Sequence, residues 1–110
     1  MVHYLCFVQE GQVADRRRDE LAAGLARLGR ETFGDTPDGV EIRWTAVPAG
    51  FGFTAGEPST ASLVVRSVPV GWGDTPRAAF MRAVCDLWRA VTGCSADEIM
   101  VTAFDGPLPV

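Results

Sequence analysis

The sequence predicts an α/β protein of the α+β type, in which two tandem β-α-β units share one four-stranded mixed sheet with both helices on one face. Three observations predict it. The second half repeats the first at an offset of 59 residues. Each half carries an apolar segment, a stripe at helical spacing and a second apolar segment. Gly34 and Gly93 follow the two stripes, where a helix C-cap is expected.

The repeat defines the expected organisation of the chain. Its matched pairs are Leu5 and Val64, Asp15 and Asp74, Leu21 and Phe80, Leu25 and Val84, Leu28 and Leu87, Gly34 and Gly93, Val40 and Ile99, and Ile42 and Val101. Because the same offset fits every pair, we expect the two halves to align from strand to helix to strand without a gap. We therefore expect a single domain over 1–110, with a first unit at 1–47, a loop at 48–59 and a second unit at 60–110.

The first unit contains each predicted element in order. Residues 2–8 are nearly continuously apolar, which is typical of a strand covered on both faces. Asp15 is the predicted N-cap of a helix that continues over 18–30. Residues 40–47 alternate between apolar and polar and predict a second strand. The helix stripe consists of Leu21, Leu25, Leu28 and Thr32.

The second unit follows a segment rich in glycine and proline. Residues 48–59 predict a loop or a distorted hairpin. A third strand is expected over 61–68, a helix capped by Asp74 or Thr75, and a fourth strand over 99–104. The helix buries a wider face than the first, because two apolar rows run along it: Phe80, Val84, Leu87 and Val91, and Met81, Cys85 and Trp88.

Right-handed connections make the two strands of each unit parallel and place both helices on the same side. The opposite face of the sheet would then be bare. Because the strand residues are apolar on both sides, we expect this second face to meet another subunit in an obligate oligomer.

Composition and charge argue against several classes of partner. The net charge of −4 disfavours nucleic acid, and the basic run 16–18 is interleaved with acidic neighbours, as on a solvated helix face. No apolar run reaches membrane-spanning length, and the start lacks the features of a signal peptide, so a cytoplasmic protein is expected. The spacing of Cys6, Cys85 and Cys94, with His3 as the only histidine, predicts neither a metal site nor a disulfide framework. No cofactor motif is found.

Several short motifs, taken together in order and spacing, resemble the tautomerase superfamily, and within it the fused-repeat cis-3-chloroacrylic acid dehalogenases. They are Met1–Tyr4, Glu10–Gly11, Gly34, Pro48–Gly50, Phe51–Phe53, Gly93 and residues 96–101. The resemblance covers the whole chain. It implies a homotrimer whose sheets line a central barrel, with an active site at the N-terminal end of the first strand.

The resemblance also implies an N-terminal proline, exposed by removal of the initiator methionine, as the acid or base. That position is Val2 here. Without Met1, Val2 would present a primary α-amine with a reference pKa of about 7.7–8.0. Such an amine could act as a weak base or form an imine with a carbonyl compound. His3 lies on the opposite face from Val2 by strand alternation, which favours a structural or surface role.

Other family positions differ as well. The arginine expected after Glu-Gly is Gln12, and the one expected near the start of the second strand falls close to Glu41. The dehalogenase histidine on the first helix aligns with Gly29, its tyrosine on the fourth strand with Thr102, and the turn 70–74 lacks the dehalogenase arginines. The resemblance therefore implies the fold and the place of the site, with divergent chemistry.

Arg43 and Arg66 are the candidate carboxylate-binding residues. Both lie inside strands, where a charge is costly unless it is paired, and a guanidinium matches a carboxylate bidentately. The alternative is an ion pair across the oligomer interface, with Glu41 or Asp105 as the partner.

The remaining candidates follow the resemblance. Gln12 would orient a substrate, or else hydrogen-bond the backbone of its own turn. Phe51, Phe53 and Trp72 would line the pocket, or else pack as loops over the barrel end. The functional hypothesis is weak or divergent activity on a small enol, keto or unsaturated acid. The alternatives are a non-catalytic oligomer that binds a small molecule or protein, and a structural subunit whose partner chain supplies the proline.

Overall fold

In a computed structural model, residues 2–68 and 71–106 are described, and they form a four-stranded mixed sheet with two helices packed on one face. The predicted fold class is confirmed. Met1, whose removal the catalytic hypothesis requires, lies outside the described residues. The elements are β1 (Val2–Gln9), α1 (Asp15–Phe33), β2 (Val40–Val47), β3 (Phe53–Thr54), β4 (Glu57–Pro58), β5 (Ser62–Val68), α2 (Asp74–Thr92) and β6 (Ile99–Asp105).

The strand order β2-β1-β5-β6 places the first strand of each unit at the centre of the sheet. β1 pairs in parallel with β2, and β5 in parallel with β6, as right-handed β-α-β connections require. The two units meet through an antiparallel β1–β5 pair. The segment between them forms a small hairpin, β3–β4, whose turn residues Ala55 and Gly56 have φ of 52° and 80°, as in a type I′ turn.

The helix ends match the sequence at one end and differ at the other. Gly34 and Gly93 are C-caps in the left-handed conformation, with φ of 71° and 75°. The expected N-cap roles of Asp15 in α1 and of Asp74 or Thr75 in α2 are wrong, because Ala14 and Gly73 hold those positions and an aspartate is the first residue of each helix. A carboxylate there still favours the helix through its dipole, which explains why the pattern indicated a cap.

The repeat holds at 59 residues over the helices and second strands but not over the first strands. The sheet pairs that show this are Val2–Val40 in the first unit and Ser62–Ile99 in the second. The first strands are therefore related by 60 residues. Because side chains alternate along a strand, matching Leu5 to Val64 was wrong: Val64 is fully buried beneath the helices, whereas Leu5 points to the other face.

The hydrophobic core lies between the sheet and the helices. At its centre the helices approach closely, because a Cβ on Gly24 would lie 2.6 Å from Leu87 Cδ1. Trp88 is buried and packs on Trp44 of β2, with ring centroids 6.0 Å apart. The fully buried side chains are Tyr4, Cys6, Val8, Leu21, Leu25, Val64, Arg66, Val68, Phe80, Val84 and Trp88.

The opposite face of the sheet carries no helix and is largely apolar at its centre. Its central rungs are formed by Leu5, Phe7, Leu63, Val65 and Met100. Met100 is 62% exposed, and Phe104 further along β6 is 41% exposed. This open face is the surface on which the sequence predicted a subunit contact. Within the described ranges, neither helix is long and apolar enough to cross a membrane.

The buried thiol of Cys6 predicts how the fold responds to alkali. Burial raises the pKa of Cys6 from 9.0 to about 12. The unfolded chain therefore loses this proton at lower pH than the native chain, so the stability contribution is full below pH 9 and is lost as pH rises towards 12. Between pH 8 and pH 10.5 wild type should lose about 2 kcal/mol more than Cys6→Ala, at 1.36 kcal/mol per pKa unit.

Urea unfolding at the two pH values measures this difference. Val8→Ala is the matched control, because it opens a cavity on the same face of β1 without removing a titrating group. Equal pH dependence in wild type and Cys6→Ala would contradict the assignment.

Candidate functional site

A buried ion pair lies under the end of the sheet where β1 begins. Arg66 on β5 is fully buried, and its guanidinium meets Asp35 bidentately, with Nη1–Oδ2 at 2.5 Å and Nη2–Oδ1 at 2.9 Å. Nη1 also donates to the Tyr4 hydroxyl at 2.8 Å, and Nε donates to the carbonyl of Ser67 at 2.9 Å. The Tyr4 hydroxyl in turn donates to the carbonyl of Leu25 at 3.3 Å. Each guanidinium nitrogen is therefore satisfied inside the protein.

Two glycines of α1 make room for this cluster. Gly34 ends the helix in the left-handed conformation, and the turn brings the amide of Asp35 back to the carbonyl of Gly29 at 3.4 Å. A Cβ on Gly29 would lie 2.1 Å from Asp35 Oδ2 and 2.6 Å from Arg66 Nη1. Only glycine at this position admits the ion pair without displacing it.

Aromatic rings surround the guanidinium. The ring centroids of Phe33, Phe80 and Tyr4 lie 4.5, 5.1 and 5.3 Å from Arg66 Cζ. Burial alone would lower the pKa of Arg66, but the hydrogen bonds with Asp35 and Tyr4 outweigh it and the pKa is raised. Burial raises the pKa of Tyr4 to about 12, against the opposing effect of Arg66. The phenol is thus neutral and the guanidinium charged.

The structure does not offer Arg66 to a substrate. Its partner is Asp35 of the same chain rather than Glu41 or Asp105, and the guanidinium has no exposed surface. Both the substrate-binding interpretation and the interfacial one are therefore wrong for Arg66. The register pairs it with Tyr4, so it must face the helices. Arg66 is two residues from both Val64 and Val68, so it shares their face of the strand, and this spacing was the feature of the sequence that indicated its burial.

Val2 occupies the N-terminal end of β1, at the margin of the core. It is half-buried, pairs with Val40 and packs against the core on the helix side. His3 points to the open face, where its Nδ1 lies 3.9 Å from Glu41 Oε1. The backbone N–H of His3 donates to the Ser67 hydroxyl at 3.4 Å. Val2 and His3 therefore lie on opposite faces of the sheet, as the alternation of side chains along a strand predicted.

Arg43 is exposed on the open face, on the other side of the sheet from Val2. Its Nε donates to Glu41 Oε1 at 3.1 Å, and 74% of its side chain is accessible. Glu41 is one of the partners anticipated from the sequence, here within one chain. Arg43 and Val2 are not brought together within one chain.

Trp72 stands at the Val2 end, in the turn before α2. Its ring packs edge-on against Phe33, with centroids 5.4 Å apart and planes at 81°. Trp72 is 39% exposed, so this aromatic pair connects the surface with the buried guanidinium. Of the predicted substrate-binding residues, Arg66 and Trp72 share the Val2 end of the sheet, and of these two only Trp72 is exposed.

Gln12, Phe51 and Phe53 lie at the opposite end of β1. Gln12 lines a small polar cleft of about 200 Å³, and its backbone N–H donates to the carbonyl of Gln9 at 3.0 Å within the turn. Phe51 and Phe53 are exposed and line an open groove of about 580 Å³ on the far end of the open face. Eight strand residues separate the ends, a rise of about 23 Å between first and last. These side chains do not form one pocket with Val2 within a single chain.

A second ion pair lies at the Val2 end of the sheet. Arg77, in the first turn of α2, forms an ion pair with Asp105 at the end of β6. Within the described ranges, no group of three or more histidine, cysteine or acidic side chains is placed to hold a metal ion.

The sequence matches no model of a protein family and no curated protein. Solved structures match closely. Native Ps01740 is 28% identical, with a TM-score of 0.91 over 96% of this chain and 94% of that chain. N1, a member of the cis-3-chloroacrylic acid dehalogenase family, is 17% identical, with a TM-score of 0.89 over 96% and 75%. The fold is that of the tautomerase superfamily.

A fused 4-OT described as a wild-type symmetric trimer has the same tautomerase fold, at 19% identity and a TM-score of 0.85 over 96% of this chain and 85% of that chain. The resemblance to the tautomerase superfamily that the sequence motifs indicated is thus confirmed for the fold. Within this tautomerase frame, sequence reasoning missed Asp35 and Tyr4. A carboxylate directly after a C-capping glycine was the available signal for Asp35.

The buried pair predicts a large and asymmetric effect on stability. Asp35→Asn leaves a buried guanidinium uncompensated and should lower the free energy of unfolding by about 3–5 kcal/mol. Combining Asp35→Leu with Arg66→Met removes both charges and should recover most of that loss. Urea unfolding measures both variants.

The exposed Arg17–Glu20 pair, with its closest atoms 3.0 Å apart, provides the control. Glu20→Gln should change stability by less than about 1 kcal/mol. If Asp35→Asn were as mild as Glu20→Gln, the Arg66–Asp35 pair could not be organising this end of the core.

Proposed function

We propose that this tautomerase-fold chain has a weak or divergent activity on small enol, keto or unsaturated acids, centred on the N-terminal end of β1. The observation that supports it best is the placement of Val2, half-buried at the first position of a central strand. Removal of Met1 is part of the proposal. The Val2 α-amine then serves as the base, or as the nucleophile that forms an imine with a carbonyl carbon.

The surroundings of Val2 suit such an amine. Val40 pairs with it on one side, and the antiparallel register that pairs Tyr4 with Arg66 places Val68 on the other when continued. Trp72 and Phe33 stand at the same end. Apolar walls exclude water from an imine and favour the neutral form of the amine.

A second candidate function is a non-catalytic oligomer subunit that binds a small molecule or lends structure to an assembly. The internal pairing of Arg66 with Asp35 favours it, because that arginine has no exposed atom for a substrate. Such a protein would be stabilised thermally by its ligand without turning it over. If this chain is instead one subunit of a hetero-oligomer whose partner chain supplies the proline, it should be poorly soluble when it is expressed alone.

The assembly belongs to the same proposal. We take the open face to be covered by further copies of the chain in a homotrimer, supported by its exposed apolar side chains Met100 and Phe104 and by the trimeric fused 4-OT. A cytoplasmic location, with neither nucleic acid nor membrane as a partner, completes the proposal.

Amine chemistry in this chain is unusually easy to assign. All ten of its basic side chains other than His3 are arginines, so the sequence contains no lysine. The N-terminal α-amine is therefore the only primary amine in the chain. Incubation with pyruvate and cyanoborohydride at neutral pH should give a mass that lacks methionine and carries one reduced adduct, mapped to Val2. Intact-mass and peptide mass spectrometry provide the readout.

Protein acetylated at its N-terminus is the control, since it retains the fold and lacks the amine. A chain that keeps Met1, or a free Val2 that reacts no faster than a free peptide of residues 2–9, would favour the non-catalytic function.

The homotrimer predicts a specific sensitivity on the open face. Met100→Glu places a charge in the proposed contact and should reduce the mass in solution from three times the chain mass of 11.8 kDa towards the monomer. Light scattering after size exclusion measures it. Ala90→Glu, on the exposed side of α2, is the matched control. A trimer that survives Met100→Glu, or a monomeric wild type, would contradict this arrangement.

A further inference from the structure

The arginines around the start of β1 are already engaged by carboxylates. Arg66 meets Asp35 in the core, and Arg77 meets Asp105 beside it. Arg43 lies on the open face and is held by Glu41 at 3.1 Å. A carboxylate ligand needs a guanidinium or ammonium group to replace its water. Arg66 has every nitrogen satisfied, and Arg77 Nε has no hydrogen-bond partner within the described ranges but has no accessible surface, so within one chain these three groups do not offer a carboxylate a partner at Val2.

The remaining charged residues at this end of the sheet do not supply a partner for a carboxylate at Val2 either. Asp38 lies two residues before β2, and Asp74 is the first residue of α2, so both add negative charge to the Val2 end of the sheet. Arg30, in the last turn of α1, has no ion pair among the described residues, but its side chain is on the exposed side of the helix rather than on the buried side that covers the sheet. The residues outside the described ranges, 1, 69–70 and 107–110, include no arginine, lysine or histidine. Within the described part of one chain, an anion at Val2 would therefore meet two unpaired carboxylates, while the unpaired arginine of this end is on the outer face of α1.

The walls of the same site are apolar. Val2 pairs with Val40, the β1–β5 register continued by two residues brings Val68 opposite Val2, and Phe33 and Trp72 form an edge-to-face pair at the same end of the sheet. Val68 is fully buried, and Phe33 is almost so. Apolar surface favours an uncharged group, because burying a carboxylate without a partner is strongly unfavourable.

We infer that the Val2 site selects uncharged carbonyl compounds, aldehydes, ketones or esters of keto acids, and discriminates against carboxylates. This inference rests on the proposed function and narrows its substrate class. The amine nitrogen attacks the carbonyl carbon, the C=N bond forms as the C=O bond breaks, and the oxygen leaves as water with the two amine protons. The imine is the common product, whichever reaction follows it.

A matched pair of probes tests the selectivity. Methyl pyruvate and pyruvate share the same ketone, and only pyruvate carries a charge. Each is incubated with the full-length protein and cyanoborohydride, whose hydride adds to the imine carbon while water supplies the proton to nitrogen. The rate of adduct formation at Val2 is measured by intact mass. The free peptide of residues 2–9 gives the intrinsic ratio of the two probes.

The protein should favour methyl pyruvate over pyruvate about tenfold more than the peptide does, which corresponds to about 1.4 kcal/mol. A ratio equal to that of the peptide, or a preference for pyruvate, overturns the inference while leaving the reactive amine of the proposed function in place. No adduct with either probe overturns both.

Two variants test the cause. Asp105→Asn releases Arg77 at the Val2 end and should raise pyruvate capture several-fold relative to methyl pyruvate; Asp105 is 56% exposed, so the change should not disturb the core. Glu20→Gln makes the same change of charge and releases Arg17 on α1 at the far end of the sheet, and should leave the ratio unchanged. An unchanged ratio in Asp105→Asn, or an equal rise in Glu20→Gln, overturns the assignment to the local ion pairs.

Discussion

The Arg66–Asp35 ion pair is the constraint around which this end of the tautomerase fold is arranged. A guanidinium with no exposed surface must have its charge and its hydrogen bonds satisfied by the protein. Asp35 supplies both at 2.5 and 2.9 Å, and Tyr4 and the carbonyl of Ser67 complete the set. The glycine at position 29 and the aromatic ring of Phe33 follow from the space and the shielding that the pair requires.

The same pair also bears on the chemistry that we propose for the start of β1. By engaging Arg66 internally, the fold removes the cation that would draw an acid towards Val2 from the helix side of the sheet. What is left at the surface is a half-buried strand end, a tryptophan in edge contact with Phe33, and a surplus of carboxylates. In the proposed site, the Arg66–Asp35 pair thus stabilises the core and, together with the Arg77–Asp105 pair, engages the arginines that an acid would need.

The sequence predicted the architecture well because local signals and the repeat agreed. The glycine caps, the apolar stripes and the strand periods all pointed to the same two units, and the structure has them. The site was predicted less well because it depends on which face of the sheet each side chain occupies and on contacts between residues far apart in the sequence. Arg66 is a charged residue within a strand, and only its even spacing from Val64 indicates that it faces the helices. Its partner Asp35 lies 31 positions away in the sequence. Phe51 and Phe53 follow the family order yet lie a full strand length from Val2.

The difference of one residue between the repeats has a consequence for how the halves recognise each other. At an offset of 60 the counterpart of Arg66 in the first unit is Cys6, and at 59 the counterpart of Asp35 in the second is Cys94. Two copies of the first unit would bury a carboxylate facing a thiol, and two copies of the second a guanidinium facing a thiol. Only unlike halves bring the opposite charges together. The fused chain therefore encodes a heterodimer of its own repeats, because neither half could form this ion pair with a second copy of itself.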